Sequence, residues 1–260
     1  MKPLDSRQNP ELKGLSRLMT NTRERRESGK MVVEGLHLVR AALDAGSSLD
    51  ALYVNAGAEE RPEVRALLSR LASHQPTLEP RRVPQATLAA VTALASPAEV
   101  LAVLQRPRHA AAKGDFAVFL EDVQDPGNLG TLLRASAAAG ASVVVVSKTG
   151  ADPYSPKVLR AGMGAHFVLP IQESDDLPRD FRAFAGQRLA TVPTSETALW
   201  DVALTGPVAL AFGNEGQGLS TTLIDAATTR VTIPMPGSAE SLNVAMAATV
   251  CLFEVVRQRR

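Results

Sequence analysis

The stretch Phe116-Ala-Val-Phe-Leu-Glu-Asp-Val-Gln-Asp-Pro-Gly-Asn-Leu-Gly-Thr-Leu-Leu-Arg-Ala-Ser-Ala-Ala-Ala-Gly140 decides the fold of this chain. Its first five residues are apolar without polar alternation and read as a strand buried on both faces. Asp125-Pro-Gly-Asn128 then makes a turn, with Asn128 placed to cap a helix over 129–139 that carries leucines at 129, 132 and 133 and stops at Gly140. A valine-rich strand over 142–146 follows. Strand, helix and strand in this order build a mostly parallel sheet, so the fold class is α/β.

The same alternation extends in both directions. Towards the C-terminus, strands are expected at 167–169, 188–192, 208–212 and 231–233, and a long final helix at 241–257. Towards the N-terminus, strands at 31–33, 49–54, 82–83 and 100–104 alternate with helices at 36–43, at 64–72 and after Pro84. The segment 106–114, with Pro107, three consecutive alanines and Gly114, breaks the periodicity. The expected organisation is a basic N-terminal arm over 1–30, a small α/β domain over 31–105, a linker over 106–114 and a larger domain over 115–260.

Bulk properties narrow the class of protein. Of the 260 residues, 45% are hydrophobic and 21% charged, the balance of an ordinary folded domain. Net charge is only +1, yet residues 1–30 hold eight basic side chains against four acidic ones, an arm suited to nucleic acid phosphates or to a solvated helix. The single cysteine, Cys251, can form neither an intrachain disulfide nor a cysteine metal framework, which predicts a reducing, cytoplasmic setting and no metal. No apolar run reaches the roughly 18–20 residues of a membrane helix, and the start lacks a signal-type stretch, so neither membrane insertion nor secretion is expected.

Three segments carry chemistry, each at the end of an expected strand. The first is Glu121 to Ser136, where helix amides at the Pro126-Gly127 turn would attract an anion and Arg134 lies nearly two helical turns beyond Asn128. The second, Ala211-Phe-Gly-Asn-Glu-Gly-Gln-Gly-Leu-Ser220, packs glycines at 213, 216 and 218, so the chain bends sharply or approaches a ligand closely. Its glycine order reverses the dinucleotide fingerprint and it lacks a P-loop lysine, which removes support from nicotinamide and nucleoside-triphosphate readings. The third, Ile233-Pro-Met-Pro-Gly-Ser-Ala-Glu-Ser-Leu-Asn-Val-Ala-Met246, enters the last helix with Ser241 and Asn243 where small polar residues cap helices. Taken singly, each admits a plain structural reading: a surface arginine, a turn, a cap.

In this order, the three segments resemble the motifs of the SpoU, or TrmH-like, branch of the SPOUT RNA methyltransferases: Asp125-Pro-Gly-Asn-Leu-Gly to Arg134, Gly213-Asn-Glu-Gly-Gln-Gly-Leu-Ser220, and Ile233-Pro-Met to Ser241-Leu-Asn-Val244. Thr131 and Ala245 stand where alanine and serine are common in that family. Arg23-Glu-Arg-Arg26 and Val33-Glu-Gly-Leu-His37 resemble the family's smaller RNA-binding domain, similar in fold to ribosomal protein L30e.

The resemblance implies a catalytic domain with a deep C-terminal trefoil knot, a homodimer, and transfer of a methyl group from S-adenosylmethionine to a ribose 2'-hydroxyl of RNA. The separate N-terminal domain favours 23S ribosomal RNA over transfer RNA. The rival readings are a non-catalytic RNA-binding protein of the same fold and a relative acting on a base nitrogen. Carried over residue by residue, Arg134, Asn128, Glu215, Ser241 and Asn243 form the catalytic set. The cofactor would lie against Val192, Pro193, Thr194, Gly213, Asn214, Gly216, Ile233, Met235, Leu242 and Asn243, while Arg23, Arg25, Arg26 and Lys30 would meet RNA. Arg134 is expected to hold a phosphate and stabilise the emerging alkoxide. Bringing any arginine from about 12.5 to 7, as a general base requires, costs roughly 7 kcal/mol at about 1.36 kcal/mol per pKa unit.

Overall fold

The computed structural model describes residues 2–4, 9–92, 98–108, 114–238 and 240–260. Residues 109–113 of the expected linker lie outside them. In chain order the elements are β1 (Lys2–Pro3), α1 (Pro10–Thr20), α2 (Thr22–Ser28), β2 (Lys30–Glu34), α3 (Leu36–Asp44), β3 (Leu49–Asn55), α4 (Pro62–His74), β4 (Arg81–Val83), α5 (Gln85–Ala89) and β5 (Val100–Gln105). There follow β6 (Phe116–Leu120), α6 (Pro126–Ala138), β7 (Val143–Ser147), α7 (Pro156–Gly162), β8 (Ile171–Ser174), α8 (Leu177–Arg182), β9 (Gln187–Thr191), β10 (Val208–Phe212), α9 (Thr221–Ala226), β11 (Thr229–Val231) and α10 (Val244–Gln258). Packing divides them into two units, one of Met1–Pro107 with Tyr154–Phe167, the other of Arg108–Pro153 with Val168–Arg260.

The first unit is built on a mixed sheet, β1-β4-β3-β5-β2, in which β5 runs antiparallel to both neighbours. Strand alternation sends Met31 and Val33 to one face and Val32 to the other. One core forms with Leu38, Val39, Leu67 and Leu71, the opposite one with Leu12, Leu15, Leu18 and Met19. Tyr154, Leu159 and Phe167 complete the first core, so residues 154–167 of the β7-to-β8 crossover belong to this unit.

Residues 10–28, expected as an arm, are instead two packed helices, because leucines at 12, 15 and 18 give α1 an apolar face. Asn9 caps α1, and Asn21 ends it and caps α2. Arg25 is only 2% exposed; its guanidinium donates to the Leu18 carbonyl at 2.7 Å and to the Thr22 hydroxyl at 3.0 Å.

The second unit carries a six-stranded, wholly parallel sheet, β11-β9-β10-β6-β7-β8. From β6 the chain steps outward through β7 to β8, then returns to β6's other side to lay down β9 and β10. The order thus reverses between β6 and β10, and in open α/β sheets the crevice at the carboxyl ends of such strands is where ligands bind. On one face Ala117, Phe119, Val143 and Ala209 pack against Leu177 and Phe181 of α8 and Leu223 of α9. Helix α10 packs against α6 and β10.

Two expected boundaries shift. The strand expected at 167–169 is a 3-10 turn over Ala165–Phe167 and an irregular connection; pairing begins only at Ile171, after Pro170, which has no amide to donate and contributes its carbonyl to the Val144 amide at 2.9 Å. Helix α10 starts at Val244 rather than 241, because Asn243 is its cap.

Phe181 is fully buried and meets Phe119 edge-on, with ring centroids 4.9 Å apart. We expect Phe181→Ala to lower unfolding stability by about 3–5 kcal/mol, read as a lower urea midpoint at unchanged slope.

Candidate active site

Segment 121–128 leaves the carboxyl end of β6 and becomes α6. Asp125, not Asn128, caps that helix: its carboxylate accepts the Asn128 amide at 2.8 Å, with Pro126 in the first turn where no amide is needed. The Asn128 side chain is thereby released for another task. Its Nδ2 donates to Glu215 at 3.0 Å and its Oδ1 accepts Asn243 Nδ2 at 2.9 Å. Asn243 in turn caps α10 through the amide of Ala245 at 2.9 Å. The three sequence segments therefore meet in one chain of side-chain hydrogen bonds, Glu215 to Asn128 to Asn243.

Glu215 is the centre of that chain. Besides Asn128 it accepts the backbone amides of Gln124 at 3.1 Å and Asp125 at 3.0 Å. Burial opposes its charge, but the hydrogen bonds from Asn128 and from those two amides outweigh it and hold the carboxyl below its ordinary value of 4.5.

The glycine-rich loop folds back on itself. Asn214 and Gly218 exchange backbone hydrogen bonds at 3.0 and 2.9 Å, and Asn214 Oδ1 accepts the amides of Gly216 and Gln217 at 2.9 and 3.0 Å. Gly218 has φ +70°. A Cβ on Gly213 would come within 2.2 Å of the Gly218 carbonyl carbon, so this position admits only glycine. At the loop's exit the Glu121 carboxylate accepts both the amide and the hydroxyl of Ser220, at 2.7 and 2.6 Å.

Beside this loop lies a cleft of about 430 Å³, walled by the ends of β9, β10 and β11 and one side of α10. Of the residues expected to hold a cofactor, Val192, Pro193, Gly213, Asn214, Gly216, Ile233, Met235 and Leu242 line it, and so do Glu215 and Ser241. Thr194 and Asn243 are not among its lining residues. Sequence reasoning missed the apolar wall of Leu219, Ile224, Val231 and Cys251. Val244, Ala247 and Cys251 follow the i, i+3, i+7 spacing of one helix face, a signal that could have revealed part of it. Burial pushes the Cys251 thiol up to about 12.

Arg134 projects from α6 as an exposed side chain and makes no hydrogen bond or ion pair among the described residues. Of the four basic residues expected to meet RNA, Arg23 pairs with Glu27 at 2.6 Å while its side chain stays 83% exposed. Arg26 is exposed and Lys30 pairs with Asp50 at 2.9 Å. Arg25 is withdrawn from that set, because its guanidinium is buried on the Leu18 carbonyl. Among the described residues no three metal-ligating side chains gather, and no helix is long and apolar enough to cross a membrane.

Residues 115–253 match the SpoU rRNA Methylase family and residues 9–102 the MRM3-like substrate binding domain. The chain is 36% identical to an uncharacterized tRNA/rRNA methyltransferase of Synechocystis sp., over 98% of this chain and 94% of that one. It is 29% identical to a 23S rRNA guanosine 2'-O-methyltransferase of Bacillus subtilis, RlmP, over 98% and 99%. Among solved structures, the SpoU methyltransferase AviRb of Streptomyces viridochromogenes in complex with AdoMet superposes with a TM-score of 0.82 at 29% identity, covering 96% of this chain and 99% of that one.

Because the Glu215 carboxyl is held below its ordinary value of 4.5, its stabilisation is complete above that value and is lost as pH falls through the folded value. The melting temperature of Glu215→Gln should therefore lie below that of the unsubstituted protein at about pH 7, with the gap narrowing as pH falls below 4.5. Gly213→Ala should destabilise the protein by about 1–3 kcal/mol in denaturant titration, since the loop must open to admit the methyl group.

Proposed function

The chain belongs to the SpoU rRNA methylase family, and from that premise we propose that it transfers the methyl group of S-adenosylmethionine to a ribose 2'-hydroxyl of 23S ribosomal RNA. The observation that carries this reading is the meeting of Glu215, Asn128 and Asn243 in one hydrogen-bonded chain beside the cleft. The cleft falls in the size range of small-molecule sites. Its apolar wall suits an adenine ring, and the close approach of Gly213 to Gly218 keeps the loop that forms one side of the cleft tightly folded.

The residues we assign to the cofactor are Val192, Pro193, Gly213, Asn214, Gly216, Ile233, Met235 and Leu242. Thr194 and Asn243 act from beside it. When bound, S-adenosylmethionine supplies an electrophilic methyl group. The protein's task is to orient the ribose and stabilise negative charge on its oxygen. Arg134 does this with a fixed positive charge: its unpaired guanidinium is available to a phosphate and to the developing alkoxide. Glu215 and Asn128 keep the start of α6, and through it Arg134, in register with the cleft.

RNA capture falls to the N-terminal unit, where Arg23, Arg26 and Lys30 are the phosphate contacts we assign. The trefoil knot and a cytoplasmic setting belong to the same reading. So does a homodimer, supported by Met246 and Phe253, which lie seven residues apart on α10 and are 63% and 44% exposed.

Labelled adenosylmethionine incubated with separate RNA pools should leave a 2'-O-methyl mark on 23S RNA, and a 2'-deoxy target should receive none. Arg134→Ala should bind adenosylmethionine within about threefold of the unsubstituted protein while turnover falls by about 10² or more. Loss of binding in a folded variant would misplace the residue. Sedimentation should give a dimer at micromolar concentration.

A further inference from the structure

Asp122 stands outside the residues assigned so far, yet it is one of two non-glycine residues with positive φ among the described residues, at +53°. Aspartate tolerates this left-handed region better than most side chains, and such outliers persist only where their surroundings enforce them. Here the enforcement is complete. The Asp122 amide donates to Ser147 Oγ, at the end of β7, at 2.8 Å. Its carbonyl accepts Asn214 Nδ2 at 2.9 Å. Its carboxylate accepts Gln124 Nε2 at 2.6 Å, and the same Nε2 also donates to the Thr149 carbonyl at 3.1 Å. Behind it, Gly150 packs so closely that a Cβ there would lie 2.8 Å from the Val123 carbonyl oxygen.

The left-handed turn has two results. It aims the residue 122 carbonyl at Asn214, whose Oδ1 holds the amides of Gly216 and Gln217 in the cleft wall. It also brings the following amides, those of Gln124 and Asp125, onto Glu215. Two of the three anchors of the glycine-rich loop on segment 121–125, those at Asn214 and Glu215, therefore descend from one backbone conformation, while the third, Glu121 to Ser220, precedes it. We infer that Asp122 is a positioning residue that shapes the 213–218 loop for its cofactor, and that it acts through its left-handed backbone rather than its charge. The cofactor part of this inference rests on the function proposed above.

The test compares Asp122→Gly, Asp122→Ala and Asp122→Val in the full chain. All three remove the carboxylate, but glycine accepts positive φ freely, alanine resists it and β-branched valine resists it most. Amide hydrogen exchange at Gly216 and Gln217 without cofactor, and adenosylmethionine affinity by calorimetry, should both follow that order. Exchange protection and affinity should each fall by about tenfold or more in the valine variant, with the glycine variant closest to the unsubstituted protein. If valine does not yield folded protein, the alanine-to-glycine comparison decides. Equal damage in glycine and alanine would assign the role to the carboxylate and overturn the inference, as would valine behaving like the unsubstituted protein. If the unsubstituted protein binds no adenosylmethionine, the proposed function fails, and the exchange order still decides whether Asp122 shapes the loop.

Discussion

The second unit depends on one carboxylate meeting three donors. Glu215 lies on a loop that has no regular secondary structure of its own, and segment 121–125 is equally irregular. The Glu121 amide still reaches the Phe212 carbonyl and Asn214 bridges Gly218, but the amides of Gln124 and Asp125 have no sheet partner. Glu215 supplies what the ladder would have supplied, taking the amides of Gln124 and Asp125 and the side chain of Asn128. A charged acceptor makes stronger hydrogen bonds than a neutral one. The loops after two neighbouring strands are thereby joined where the strand order reverses, and a cleft forms beside the joint.

Much of this was legible in the sequence, for identifiable reasons. The uninterrupted apolar run Phe116 to Leu120 gave a strand buried on both faces, because a parallel sheet covered by helices leaves no polar face to write. The glycines at 213, 216 and 218 marked a loop whose backbone is crowded, and the Gly213 contact with Gly218 supplies the reason. The partnership of Asn128 with Asn243 was not legible, since 115 positions separate them and no local rule joins two asparagines. The sequence suggested Asn128 as a helix cap, a role that Asp125 fills. Proximity of Asp125 to a proline at the first helical position was the better signal.

The basic N-terminal segment departs from its expected form as an arm for a different physical reason. Counting charges over 1–30 treats every arginine as equivalent, whereas helix phase decides which face water. Arg25 falls on the inward side of α2 and is spent on the Leu18 carbonyl at the end of α1, while Arg23 faces solvent. Likewise, the apolar run over 167–169 carries no signal of which core it fills. Phe167 packs in the first unit, not in the parallel sheet.

Cys251 in the cleft wall carries one more consequence. On the function proposed above, the cleft lining would face a methyl sulfonium, to which a thiolate would be the most vulnerable group. Burial, by raising this thiol to about 12, keeps it protonated at neutral pH and so unreactive. The apolar wall that buries Cys251 thus also holds it in the least reactive form of a cysteine.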